Sequence, residues 1–266
     1  WAFGLATASG SLGQFIFAPL AGALLPAYQW QTTLVILAAL SLLLILFAIP
    51  LFAQKGSSTT AAAGETSLSM TQAIGKAFGH NSYLLLVSGF FVCGFHVAFY
   101  SVHLPAYVAD KGLAPWVAIW SLMAVGIANI VGTYLAGQSG KFVEKRVGLS
   151  FIYFMRCFVF LGLLFVPVSP WMVIGLSTLL GLFWLSTVPL TSSLVATFFG
   201  TTWMSMLFGF VFFSHQLGSF AGLKLAGRIY DTTKSYDMMW WICIVVGLLA
   251  ALIHWPIKEQ PVARLR

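Results

Sequence analysis

Eight stretches of about twenty apolar residues follow one another along this chain, at 2–25, 33–52, 83–102, 117–136, 149–166, 171–190, 204–225 and 238–255. A hydrocarbon core about 30 Å thick takes about 20 residues of helix at about 1.5 Å each, so each stretch is long enough to cross a bilayer once. Backbone in lipid must satisfy its own hydrogen bonds, and successive apolar runs do so as helices. The sequence therefore predicts an all-α membrane protein with eight transmembrane helices. Composition agrees: 7% of residues are charged and 60% hydrophobic, whereas a soluble domain carries about 25% charged residues. Too few polar side chains exist to cover a water-facing surface. Pro26, Pro105, Pro115, Pro167, Pro170 and Pro256 stand at the ends of the runs, where helices start or stop. Trp30, Trp116, Trp171, Trp203, Trp240, Trp241 and Trp255 stand near the interfaces.

The net charge of +7 is then a matter of topology, not of nucleic-acid binding. An even number of spans puts both ends of the chain on one side. That side holds Lys55, Lys76, Lys141, Lys145, Arg146, Lys258, Arg264 and Arg266, against Lys111, Lys224, Arg228 and Lys234 on the other. Basic residues collect in cytoplasmic loops, so both ends are expected in the cytoplasm. Cys93, Cys157 and Cys243 lie apart in apolar runs and read as small hydrophobes, with no metal-ligand spacing. No cofactor is expected. No G-x-x-x-x-G-K-[ST] phosphate loop occurs, so any transport draws on an ion gradient.

The one long connection, 53–82, begins with a low-complexity stretch at 56–64. From 68 to 78 its apolar residues recur every three to four positions, which predicts a short interfacial helix. Two spans precede this connection and six follow, an arrangement that makes sense if four more spans lie upstream. The start at Trp1 fits a fragment.

Polar residues single out faces of particular spans: Thr7, Ser11 and Gln14 in the first, His96, Tyr100 and His103 in the third, and Asn129 and Thr133 in the fourth. Trp184, Thr187 and Thr191 mark the sixth. His215, Gln216 and Ser219 mark the seventh, beside Gly218 and Gly222. The second, fifth and eighth are almost wholly apolar, apart from Arg156. Every third helix thus reads as lipid-facing, in a bundle of three-helix units around a polar interior.

Several blocks carry a resemblance: Gly10, Gly13, Gln14 and Pro19; the segment 89–96 ending in His96; 185–192 with Pro189; 213–220 with His215 and Gln216; and Gly227, Tyr230, Asp231, Ser235, Tyr236 and Asp237. With them the chain resembles the major facilitator superfamily, in particular its bacterial monocarboxylate-porter-like members. The resemblance implies a twelve-helix fold in two halves of six, of which this chain would be helices five to twelve. Residues 1–53 would close the N-terminal half, 54–82 would form the central cytoplasmic loop, and 83–266 the C-terminal half and tail. It also implies proton-coupled transport of a small organic anion, a carboxylate, by a monomer in the bacterial inner membrane. One departure stands out. In the family's G-x-x-x-D-R-like loop, counting from Gly137 places Lys141 and Phe142 at the acid and base positions, whereas counting from Gly140 places Glu144 and Lys145 there.

Arg156 is the only charge well inside a span, where arginine costs about 2.5–3.5 kcal/mol on insertion scales. It reads either as a counter-charge for an anionic substrate or as a cap on a neighbouring helix's carbonyls. His96 and His215 are candidates for proton coupling and substrate contact, and equally for packing bonds between helices. Gln14, Asn129, Trp184, Thr187 and Gln216 complete the substrate-binding candidates, with helix bridging or core filling as their alternatives. His103 and His254 read as interface and lipid-edge residues. Thr187, Pro189 and their neighbours mark a bend or a helix end. Gly218 and Gly222 read as close-packing positions.

Two other functions are compatible with the chain. The same fold could export a drug-like compound. An intramembrane serine protease could use Ser139 in Gly137–Gly140, with His215 or His254 as base, although Ser139 falls at a wet cytoplasmic helix end. The 266-residue chain alone is not expected to transport.

Overall fold

The computed structural model describes residues 2–53 and 69–262. They form α1 (Ala2–Ser41), α2 (Leu43–Ala53), α3 (Met70–Phe78), α4 (Asn81–Asp110) and α5 (Trp116–Ser139), then α6 (Lys145–Phe165), α7 (Pro170–Leu182), α8 (Thr187–Phe199), α9 (Met204–Thr233) and α10 (Asp237–His254). The described residues contain no strand. The low-complexity stretch 56–64 and the basic residues Lys55, Arg264 and Arg266 lie outside the described residues.

Among the described residues seven helices are long and apolar enough to cross a membrane, where the hydropathy pattern predicts eight crossings. The difference lies at the start. Residues Ala2–Leu46 form a stretch of 45 residues in which two helices join across a kink, with about enough residues for two crossings. Its ladder is interrupted at Gln29, where φ is 59° and ψ 172°. The first two predicted runs thus meet at a single left-handed residue, without a loop between them.

The sixth predicted run is one crossing, Pro170–Phe199, but it is broken inside. Ser169 caps α7 by accepting the Met172 N–H, and Pro170 opens the first turn. Helix stops at Leu182 and resumes at Thr187. Pro189 explains the position of the break. It lacks an N–H, and its ring crowds the carbonyl four residues earlier, that of Leu185.

α3 is a short helix where the spacing of 68–78 predicts one. Ser69 and Gln72 form a reciprocal capping box, and Ala73 and Ala77 are buried.

α4 packs along α9, α5 along α1 and α7, and α6 along α10. Gly94, Gly218 and Gly222 let the α4 and α9 backbones touch. A Cβ on Gly94 would collide with the His215 carbonyl, and one on Gly218 with the Phe91 carbonyl. α1 and α5 run antiparallel, with Gly4 against Gly137, Gly126 against Phe15 and Gly22 against Ile119.

Two apolar cores stack along the bundle. One holds Tyr83, Phe90, Leu149, Ile152, Leu190, Phe198 and Leu207. The other holds Phe99, Tyr107, Phe160, Leu180, Trp184, Ile229 and Trp240. On α4, α5, α6 and α9 the change from one core to the other falls near the middle, close to His96, Asn129, Arg156 and His215.

Candidate functional site: a polar layer around a broken helix

Arg156 sits midway along α6 and is fully buried. Its Nε donates to the Phe183 carbonyl at 3.0 Å, and its Nη2 donates to the same oxygen at 2.7 Å and to the Trp184 carbonyl. These oxygens end α7, where helix termination leaves carbonyls without intrahelical partners. The guanidinium therefore caps the break. It also lies over the Tyr153 ring, 5.1 Å from the centroid, and Nη2 is 3.6 Å from Cys93 Sγ. Nη1 has no protein partner among the described residues.

The far side of the break is held by Asn129 of α5. Its Oδ1 accepts the Leu185 N–H at 2.9 Å, and its Nδ2 donates to Ser11 Oγ at 2.7 Å. Ser11 in turn donates to the Thr7 carbonyl. One amide thus ties the break to α1.

His215 of α9 completes the layer. Its ring stacks on Phe212 with centroids 5.2 Å apart, lies beside Phe90 and neighbours the Cys93 thiol. Neither ring nitrogen has a partner among the described residues, and the buried Tyr153 hydroxyl also has none. Thr187, at the start of α8, bonds Cys93 Sγ at 3.3 Å. Arg156 Nη1, Tyr153 Oη and the two His215 nitrogens are thus buried polar atoms around the Cys93 thiol with no well-formed hydrogen bond among the described residues. No Asp or Glu lies in it. The ion pairs among the described residues are Lys145–Glu259 and Arg146–Glu144, both at the end of the bundle. An uncompensated guanidinium with a spare donor can bind an anion.

The other sequence candidates are scattered. Trp184 is buried in the break, with its ring edge-on to Tyr100. His96 points at α10, where Nε2 meets the Cys243 carbonyl at 2.9 Å and the ring packs on Phe160. Gln14 donates to the Leu122 carbonyl at 3.5 Å along the α1–α5 seam. Gln216 is exposed, because one residue along a helix turns about 100° and carries it away from His215's buried side. His103 bonds the Tyr236 hydroxyl at 3.0 Å. His254, expected at the lipid edge, is instead fully buried, stacked on Tyr153 and seated over Gly89. Cys93 and Tyr153 belong to the layer but read from sequence as ordinary core residues. The one signal for Tyr153 was its place three residues before Arg156, on the same helix face.

The loop after α5 carries its charges from Gly140 onward. Glu259 accepts from Lys145 Nζ at 3.2 Å and from the Arg146 N–H at 2.8 Å, while Arg146 reaches Glu144 and the Trp255 carbonyl. The second alignment of the loop motif, with Glu144 and Lys145, is the one that engages a charge network.

The sequence pattern of the Major Facilitator Superfamily matches residues 2–223. The chain belongs to that superfamily. Among related superfamily proteins, "Uncharacterized MFS-type transporter YcxA" of Bacillus subtilis (strain 168) is 28% identical over 187 residues, covering 68% of this chain and 45% of that protein. "Monocarboxylate transporter 13" of Bos taurus is 27% identical over 238 residues, covering 88% of this chain and 54% of its own length. "Monocarboxylate transporter 12" of Homo sapiens is 24% identical over 277 residues, covering 91% and 53%. The chain spans about half the length of these relatives. Superfamily membership and the long apolar helices together identify a multi-pass membrane segment. Against the protease alternative, the Ser139 hydroxyl donates to the Ala136 carbonyl at 2.8 Å, and no histidine bonds it among the described residues.

Proposed function

We propose that the protein carries a small organic anion, a carboxylate, across the membrane by alternating access coupled to a proton gradient. The observation that carries this reading is the buried Arg156, which meets carbonyl oxygens, the Tyr153 ring and the Cys93 thiol but no carboxylate among the described residues, and whose Nη1 has no partner among them. A carboxylate at Nη1, reached by the Tyr153 hydroxyl and a His215 N–H, would satisfy three of the unpartnered groups at once. The monocarboxylate transporters among the relatives support the same substrate class. His215 is the proposed proton carrier: protonated, it adds positive charge beside the anion, and neutral, it weakens the seat. Beside His215 lies the Cys93 thiol, which Arg156 Nη2 also approaches. His96, bonded to the Cys243 carbonyl, is the secondary candidate. Trp184 and Thr187 would border the anion at the break, with Asn129 positioning that break. Gln14 and Gln216 would reach substrate only in a conformation that opens the α1–α5 seam or the α9 face.

In this reading residues 1–53 close an N-terminal half, 54–82 link the halves, and 83–266 form the C-terminal half. The protein works as a monomer in the inner membrane with both ends of this chain cytoplasmic.

The test is uptake into liposomes carrying the full-length protein, with the interior made alkaline and the uptake of protein-free liposomes subtracted. A radiolabelled monocarboxylate should accumulate and its neutral amide should not. Arg156→Gln should lower uptake at least about tenfold, since a charged hydrogen bond contributes about 1.5–3 kcal/mol. His215→Gln should keep carboxylate exchange but lose accumulation driven by the pH step. Equal uptake of acid and amide, or normal uptake by a folded Arg156→Gln protein, would overturn the proposal.

A further inference from the structure

A crevice of about 430 Å³ lies between α5, α6 and the α7–α8 break. Leu135 and Ala136 form one wall, Val147 and Phe151 the other, and Phe183 and Ser186 of the break the floor. Its two hydroxyls are turned inward: Ser139 bonds the Ala136 carbonyl and Ser186 the Leu182 carbonyl. The crevice therefore offers an occupant almost nothing but hydrocarbon.

Its rims continue into two apolar stripes. Ile127, Val131 and Leu135 are exposed along α5, and Phe151, Phe154 and Phe158 along α6. Apart from the Tyr134 hydroxyl on α5, the stripes are apolar, as expected of surface against acyl chains. At the mouth, Lys141 stands between the lining residues Ser139 and Val143. Lys145 and Arg146 nearby are engaged by Glu259 and Glu144, but Lys141 makes no ion pair among the described residues. Beside it Phe142 is 85% exposed. A free cation and a protruding aromatic ring at the end of a membrane helix suit the headgroup level.

We propose that this crevice binds an anionic phospholipid, with one acyl chain between Leu135 and Phe151 and the phosphate against Lys141. The chain's end would then rest on the helix break, opposite Arg156, so occupancy would bear on the element that holds the proposed anion seat.

The test uses the protein in nanodiscs of phosphatidylcholine doped with phosphatidylglycerol, either lipid carrying a photoactivatable group on its acyl chain. Crosslinked peptides are mapped by mass spectrometry. Label should concentrate at 135–139 and 147–152, and phosphatidylglycerol should label about fivefold more than phosphatidylcholine, the factor one surface lysine contributes. Lys141→Gln should erase that preference while crosslinking persists. Val147→Trp should fill the crevice and remove the label. Should that variant unfold, Leu135→Trp at the exposed rim provides the same test. Label spread evenly over exposed positions such as Val245 and Leu252 of α10 would overturn the proposal. So would equal labelling by the two lipids, or a crevice that no lipid labels.

Discussion

Replacing Asn129 by alanine removes one side chain and two bonds, and the structure assigns them unequal weight. Loss of Oδ1 leaves the Leu185 N–H without its acceptor inside the bundle, at about 1–3 kcal/mol for a buried orphan donor. Loss of Nδ2 breaks the bond to Ser11, and side-chain bonds between membrane helices average about 0.6 kcal/mol. Ser11 itself keeps the Thr7 carbonyl, so no second orphan forms. The expected loss is about 2–3 kcal/mol. Ser11→Ala leaves the buried Asn129 Nδ2 without its acceptor and should also cost about 1–3 kcal/mol. The double variant should then be little worse than Asn129→Ala, because the shared bond is already gone. Equilibrium unfolding in mixed micelles of mild and denaturing detergent measures all three. Two results would refute the reasoning: Asn129→Ala within about 0.5 kcal/mol of the parent, or a double variant that loses the full sum of the two single losses.

Gly94→Ala should destabilise by about 1–3 kcal/mol, since its Cβ meets the His215 carbonyl, whereas Gly209→Ala, in open space, should be neutral or slightly stabilising; the same unfolding assay compares them. His80 precedes α4, packs on Phe198 and Phe199, and is held below its ordinary pKa of 6.5 by burial. The unfolded chain therefore binds more protons there, so stability should fall as pH drops below about 6.5, and a melting-temperature series should show less of this acid loss in His80→Phe. Ser139→Ala should leave uptake unchanged, because that hydroxyl serves only the Ala136 carbonyl. Loss of activity would revive the enzyme reading.

The crossings were legible because insertion into lipid is read almost directly from apolar length. Helix α3 was legible because Ser69, Gln72 and its apolar spacing agree locally. The run 2–52 was less so, since hydropathy marks where chain leaves the bilayer but not that Gln29 alone interrupts the helix. Pro189 signalled a disruption in the sixth crossing. The sequence does not show that its ladder fails at Phe183–Ser186 and that Arg156 and Asn129 take up the freed groups, because those partners lie on other helices. Periodicity tells which residues share a face and not what that face meets. Thus His96 lies on a polar stripe that turns to α10, and Arg156 reaches inward from a helix that reads as peripheral. His215 and Gln216, adjacent in sequence, diverge because each step turns about 100°.

The central claim is that the layer around Arg156 is the anion seat, and the Cys93 thiol, 3.6 Å from Arg156 Nη2, is its built-in reporter. With Cys157 and Cys243 replaced by alanine, a small methanethiosulfonate should modify Cys93 while the transporter cycles in liposomes. The account predicts that a monocarboxylate slows this reaction, that its neutral amide does not, and that Arg156→Gln abolishes the protection. A thiol that never reacts, or one protected equally by acid and amide, would contradict it.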